Sequence, residues 1–324
     1  MAAQDTPIRP RQNHNWIMTL ILTANGRESI WMLADRRLSY RGRPPKDDGR
    51  KIMFLETTDG VAILGYAGLG ATARGTEPAD WMSAVLRGRN LPLEQSLGEL
   101  AGAMQRQFPR HLLRLPRDVL AGHNIVIPSF VNGEVRLYTI DLAFAPDRKT
   151  YVFRYTRHVV NPSTDRPHRT PRLGLAGSGA FCLARDKPWI RELLRLVRAC
   201  DSKRVSPLVV ADHLATINEL AHRNTADGTV GPRCIVAWRH NKLGVHKGGG
   251  GHQFYDGTKR TGDSGALPTI GNGMDIQALV QAMMPHMMAQ MSALRAGGSA
   301  SELDAAKLNA DLAKLPEHPD ESLK

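Results

Sequence analysis

Two kinds of apolar run alternate along the chain. Residues 19–24 (TLILTA) and 29–35 (SIWMLAD) are continuous and β-prone, with the turn-like pair Asn25-Gly26 between them, which reads as a hairpin. Residues 51–56 (KIMFLE) and 61–68 (VAILGYAG) repeat the arrangement around Asp59-Gly60. Their near-continuous apolar character predicts strands covered on both faces. The period then changes to helical over about 76–87, with Asp80, Trp81 and Val85 at helical spacing. It stays helical over about 93–113, where Leu97, Leu100, Met104 and Phe108 share a face. Strands return at 124–131 and 134–142, joined through Asn132-Gly133, and at 150–155. The run LGLAGSGAFCLARD reads as a short strand breaking at glycines into a helix. A further helix is predicted over about 207–223, and 234–240 with 242–245 read as a closing hairpin. Strands, helices, strands, helices, strands is the order of an α+β sandwich with helices outside packed sheets, and it argues against a doubly wound parallel sheet.

From Lys247 the character changes. Residues 247–273 are rich in glycine and polar side chains, the composition of a flexible linker. Residues 275–296 then place Ile276, Val280, Met283, Met287, Met291 and Leu294 along one helical face, interrupted by Pro285. A helix packing back on its own domain is the expectation; a methionine-rich face for a partner or a neighbouring subunit is the alternative. The organisation expected is an N-terminal extension or propeptide (1–18), a domain over 19–246, and a linker with a Met-rich helix and polar tail over 247–324.

Composition narrows the classes. Of 324 residues, 42% are hydrophobic, enough for a core and too many for a disordered chain. No window approaches the roughly 18 apolar residues of a membrane span, and residues 1–16 lack the apolar stretch of a secretion signal. A cytoplasmic protein without a membrane partner is expected. Cys182, Cys200 and Cys234 show neither a disulfide framework nor zinc spacing and read as free thiols. The net charge of +12 concentrates in 36–51, 106–117 and 157–172. Few aromatics are interleaved there as stacking platforms, so specific nucleic-acid binding is not expected. His213, His222, His240, His246 and His252 lack ligand spacing, and no metal is implied. GYAGLGATA resembles a dinucleotide-binding turn but lacks the acidic residue such a fold needs about 20 residues on, so no cofactor is expected.

Four residues carry the chemistry. Thr19 opens the first strand. Asp35 ends the second, 16 residues on, and Lys51 starts the third, 32 residues on. Gly68 follows the fourth strand and precedes the first helix. In these residues, in this order and on these elements, the sequence resembles the proteasome β-subunit family of N-terminal-nucleophile hydrolases, including the simpler bacterial proteasome-like peptidases. The resemblance extends more weakly to Ser178 in AGSGA and to Asp227 in ADGTVGP, and covers about residues 19–245. It departs at Val230, where the family carries a serine, and at Met18, where the family's propeptide typically ends in glycine.

The resemblance implies a four-layer αββα sandwich and a chemistry. A threonine hydroxyl needs a base, which in this class is the residue's own α-amine. That amine has an ordinary pKa of about 7.7–8. Lys51 is expected to disfavour its protonated form, with Asp35 holding the lysine. The Gly68 N–H is expected to face the developing oxyanion, and Ser178 and Asp227 to orient the amine or relay its proton. Exposure of that amine requires processing before Thr19, or translation from Met18 with removal of the methionine. Each residue also has an ordinary reading: a strand threonine, an ion pair at strand ends, a glycine in a turn.

The expectation is therefore a threonine-type peptidase or amidohydrolase, acting on a peptide or amide, self-associating, with a possible unfoldase partner. The alternative is a non-catalytic proteasome-like scaffold or binding module.

Overall fold

The computed structural model describes residues 19–40, 43–68, 76–112, 123–144, 151–159, 170, 172–185, 188–225, 228–244, 249–263 and 265–297, with 306 and 310. The chain opens with β1 (Ile21–Asn25) and β2 (Ser29–Asp35), a short hairpin of β3 (Leu38–Tyr40) and β4 (Arg43–Lys46), then β5 (Ile52–Thr57) and β6 (Gly60–Ala67). Helices α1 (Pro78–Leu86) and α2 (Leu93–Leu112) lead to β7 (Asn124–Val131), β8 (Glu134–Phe144), β9 (Tyr151–His158) and β10 (Leu173–Ala176). Helices α3 (Gly179–Arg185), α4 (Pro188–Asp201) and α5 (Pro207–Asn224) precede β11 (Arg233–His240), β12 (Gly250–Asp256) and β13 (Lys259–Arg260). The short strands β14 (Thr269–Gly271) and β15 (Met274–Asp275) run into α6 (Ile276–Arg295).

Two sheets result. One has the order β10-β1-β2-β11-β12-β13, and the other β15-β14-β5-β6-β7-β8-β9. All pairs are antiparallel except β14 on β5. The two-residue turn at Asn132-Gly133 has positive φ at both positions, 49° and 81°, and Val131 pairs with Glu134 across it. This is the backbone twist that suits a tight hairpin.

Alternation along each strand explains why no polar stripe was visible in the sequence. In β2, Ile30, Met32 and Ala34 face the second sheet, against Ile52, Ile63 and Val126. Trp31 and Leu33 face outward into a cluster with Leu193, Leu214 and Val236 under α3–α5. The other sheet buries Leu64, Tyr66 and Ile125 under Leu97, Leu100 and Met104 of α2 and Met82 of α1. Helix, sheet, sheet, helix is the four-layer αββα sandwich of N-terminal-nucleophile hydrolases and proteasome-like proteins.

Three expectations fail near the C-terminus. Residue 245 lies outside the described residues, and residues 242–244 do not pair with β11. Its partner is β12, in register from Arg233–Asp256 to Arg239–Gly250. The glycine- and polar-rich segment is thus no linker in this stretch, because Phe254 and Leu267 enter the core between the sheets and Ile270 enters the cluster under α1 and α2. Nor does α6 pack back along its length. Ala278, in its first turn, is its one buried residue.

Candidate functional site

The six-stranded sheet delivers Thr19 just before β1 and Asp35 at the end of β2. The other sheet delivers Lys51 just before β5, so the three meet where the two sheets close on one another. Thr19 Oγ1 donates to Asp35 Oδ1 at 2.6 Å, and Lys51 Nζ donates to Thr19 Oγ1 at 2.6 Å and to Asp35 Oδ1 at 2.9 Å. Asp35 also accepts from the backbone N–H of Leu20 (2.7 Å), Arg37 (3.1 Å) and Gly231 (3.3 Å). Thr19 and Asp35 are fully buried and Lys51 is 3% exposed. Burial pulls the Lys51 pKa below its ordinary value, and the Asp35 carboxylate opposes that shift.

Ser178 joins this group weakly. The Thr19 backbone nitrogen donates to its Oγ at 3.4 Å, while the Gly179 N–H donates to the Thr19 carbonyl at 3.1 Å. Gly177 makes the approach possible: at φ 84° its place is in left-handed space, and a Cβ there would collide with the Thr19 carbonyl. Gly68 lies one residue past β6 at φ 147°, against the Tyr66 hydroxyl and the His123 ring. Among the described residues no hydrogen bond joins Gly68 to Thr19, Asp35 or Lys51. Asp227 lies outside the described residues. Val230, where a serine was anticipated, is fully buried and packs against Gly179, and its carbonyl accepts from His222 Nδ1 at 2.7 Å.

Sequence reasoning missed His123. It is 1% exposed, with Nδ1 hydrogen-bonded to the Tyr66 hydroxyl at 2.6 Å. Burial pushes its pKa down to about 4. No spacing pointed to it, because its partner lies 57 residues away on a neighbouring strand. The Leu20, Arg37 and Gly231 amides were equally invisible, since backbone donors have no residue-type signature. Among the described residues, no group of three or more His, Cys, Asp or Glu is placed to hold a metal ion. No described helix is long and apolar enough to cross a membrane.

No protein-family model and no curated protein matches the sequence. Among solved structures, the chain is similar to Anbu (ancestral beta-subunit) from Yersinia bercovieri, at 15% identity over 72% of this chain and 87% of that one, with a TM-score of 0.42. The helical assembly of the Anbu complex from Pseudomonas aeruginosa matches at 13% identity over 89% and 99%, with a TM-score of 0.44. Anbu from Hyphomicrobium sp. strain MC1 matches at 13% over 89% and 100%, with a TM-score of 0.41.

The expectation of a threonine-type peptidase is corrected at this point. The first of these structures is described as an ancestral beta-subunit, and none of the three is described as a peptidase. With Met18 attached, the nitrogen of Thr19 is a peptide amide, which has no lone pair free to take the hydroxyl proton, so the mechanism requires a chain cut before Thr19. What remains is a buried polar cluster whose hydrogen bonds tie the first strands of the two sheets together.

Proposed function

We propose that this chain is a non-catalytic, proteasome-like scaffold subunit that associates with a second copy of itself through α6. The observation that carries the proposal is the seam on that helix. Val280, Met284, Met287, Met291 and Leu294 recur at alternating spacings of four and three, the pattern by which two helices interlock knobs into holes. All five are between 48% and 54% exposed. The helix carries no Asp, Glu, Lys or Arg before Arg295, so a second α6 meets it without burying a charge. A stable interface takes about 800 Å² from each partner, and apolar patches beyond a few hundred Å² mark contact sites. The firm anchorage of the first turn fits a contact element held at a fixed angle. Asp275 caps the helix by accepting from the Ala278 N–H at 3.0 Å, and it accepts from Arg87 Nη2 at 2.6 Å.

Sedimentation of the full chain tests the association. The wild type is expected to run as a dimer or larger, and Met284→Glu with Met291→Glu as a monomer with an unchanged circular dichroism spectrum. Association that survives both glutamates overturns the α6 reading. For the non-catalytic half, a covalent threonine-directed probe is expected to leave the protein unlabelled, and peptide hydrolysis that disappears in Thr19→Ala would defeat it.

A further inference from the structure

Going beyond the scaffold reading and independent of it, we infer that a cleft at the far end of the sandwich binds an anion carrying more than one phosphate. Its volume is about 640 Å³, within the range of about 300–1,000 Å³ usual for small-molecule sites. Thr19 precedes β1, whereas Asn25, Gly26 and Arg27 of this cleft follow from its other end. At about 3.3 Å per residue, roughly 20 Å separates the two regions.

Four arginines converge on the cleft from four different parts of the chain: Arg27 after β1, Arg157 on β9, Arg172 before β10 and Arg198 on α4. Among the described residues, Arg157, Arg172 and Arg198 have no carboxylate partner. The Arg198 Nε–H is spent on the Leu194 carbonyl of its own helix, at 3.0 Å. Arg27, whose side chain is 93% exposed, reaches Glu28 no nearer than 3.7 Å.

The two acids of the lining are engaged elsewhere. Asp201 accepts from the Arg27 N–H and the Ser29 hydroxyl, and Glu134 reaches Arg136 at 3.4 Å. The apolar floor is Val135, Leu194 and Val197. Four arginines against two carboxylates leave the cleft net positive, and low-dielectric walls focus such a field outward. Guanidinium groups match phosphate oxygens in paired, parallel hydrogen bonds. No described residue of the lining is aromatic, so these residues offer no platform for a base and recognition rests on the phosphates.

Titration calorimetry with inorganic tripolyphosphate tests this on the full chain at low and at moderate salt. One molecule per chain is expected, with affinity falling as salt rises. Arg157→Glu with Arg198→Glu should weaken binding about tenfold or more. Arg195→Glu with Arg223→Glu, which changes the net charge equally on exposed helix faces, should weaken it less than about threefold. Should the charge reversals unfold the protein, Arg157→Gln with Arg172→Gln carries the same expectation. ATP in a parallel titration separates the sources. Tighter binding than tripolyphosphate points to a nucleotide and equal binding to a phosphate chain, both in support. No binding of either, several molecules per chain, or equal weakening by the control pair overturns the proposal. So does an oligonucleotide that binds where both small probes fail.

Discussion

Where the two sheets close, Thr19, Asp35 and Lys51 lie between 0 and 3% exposed, while from Met274 to Leu294 eight aliphatic side chains stand between 39 and 57% exposed. Both regions invert the usual partition of polar groups outward and apolar groups inward. The first can do so because each polar atom finds its complement within the chain: Asp35 accepts from two side chains and three backbone amides. The second finds no such cover among the described residues, and the proposed second copy would supply it. A buried charge is tolerable once it is partnered, and an exposed apolar helix is explained once its partner is sought outside the fold.

The comparison breaks most sharply at Asp35. Asp35→Ala leaves Lys51 buried without its counter-charge and is expected to cost about 3–5 kcal/mol of stability, read from guanidinium unfolding. Asp35→Leu combined with Lys51→Met removes both charges and should recover much of that loss. An Asp35→Ala protein as stable as the wild type would mean that the cluster does not hold the sheets together.

Acid probes the polar interior next. His123 has its pKa lowered from 6.5 to about 4 in the folded chain. Between those values the unfolded chain binds more protons, so stability falls as pH drops from 6.5 to 4, by about 3 kcal/mol at most. His123→Gln should flatten this part of the pH–stability curve, and an unchanged slope would assign it to other groups.

The smallest effect belongs to the base of α6. Asp275→Ala removes the helix cap and the pairing with Arg87, and should cost about 1 kcal/mol by thermal unfolding. Its larger consequence is expected in sedimentation, as weaker self-association, because the seam loses its fixed angle. Unaltered association would place the contact in a region that does not depend on that anchor.

The hairpins, α1, α2 and α5 were legible from sequence because they rest on local rules: turn pairs such as Asn132-Gly133 and helical spacing of apolar residues. Thr19, Asp35 and Lys51 were legible as a set through the resemblance to the proteasome β-subunit family, which places such residues at these strand ends. The segment around β12 was misread, since composition cannot reveal that Phe254 is held between two sheets. His123 could not be found at all, because nothing local distinguishes a histidine that will lose its water.

The sequence by itself determined the elements, their order and hence the layered α+β architecture, because periodicity and turn chemistry act over a few residues. Tertiary structure decided what those elements do to each other. It paired β11 with β12, buried Lys51 beside Asp35, gathered four arginines around one cleft, and left the apolar seam of α6 exposed. Each of these depends on which distant surfaces meet, and solvation follows from that meeting rather than from residue type.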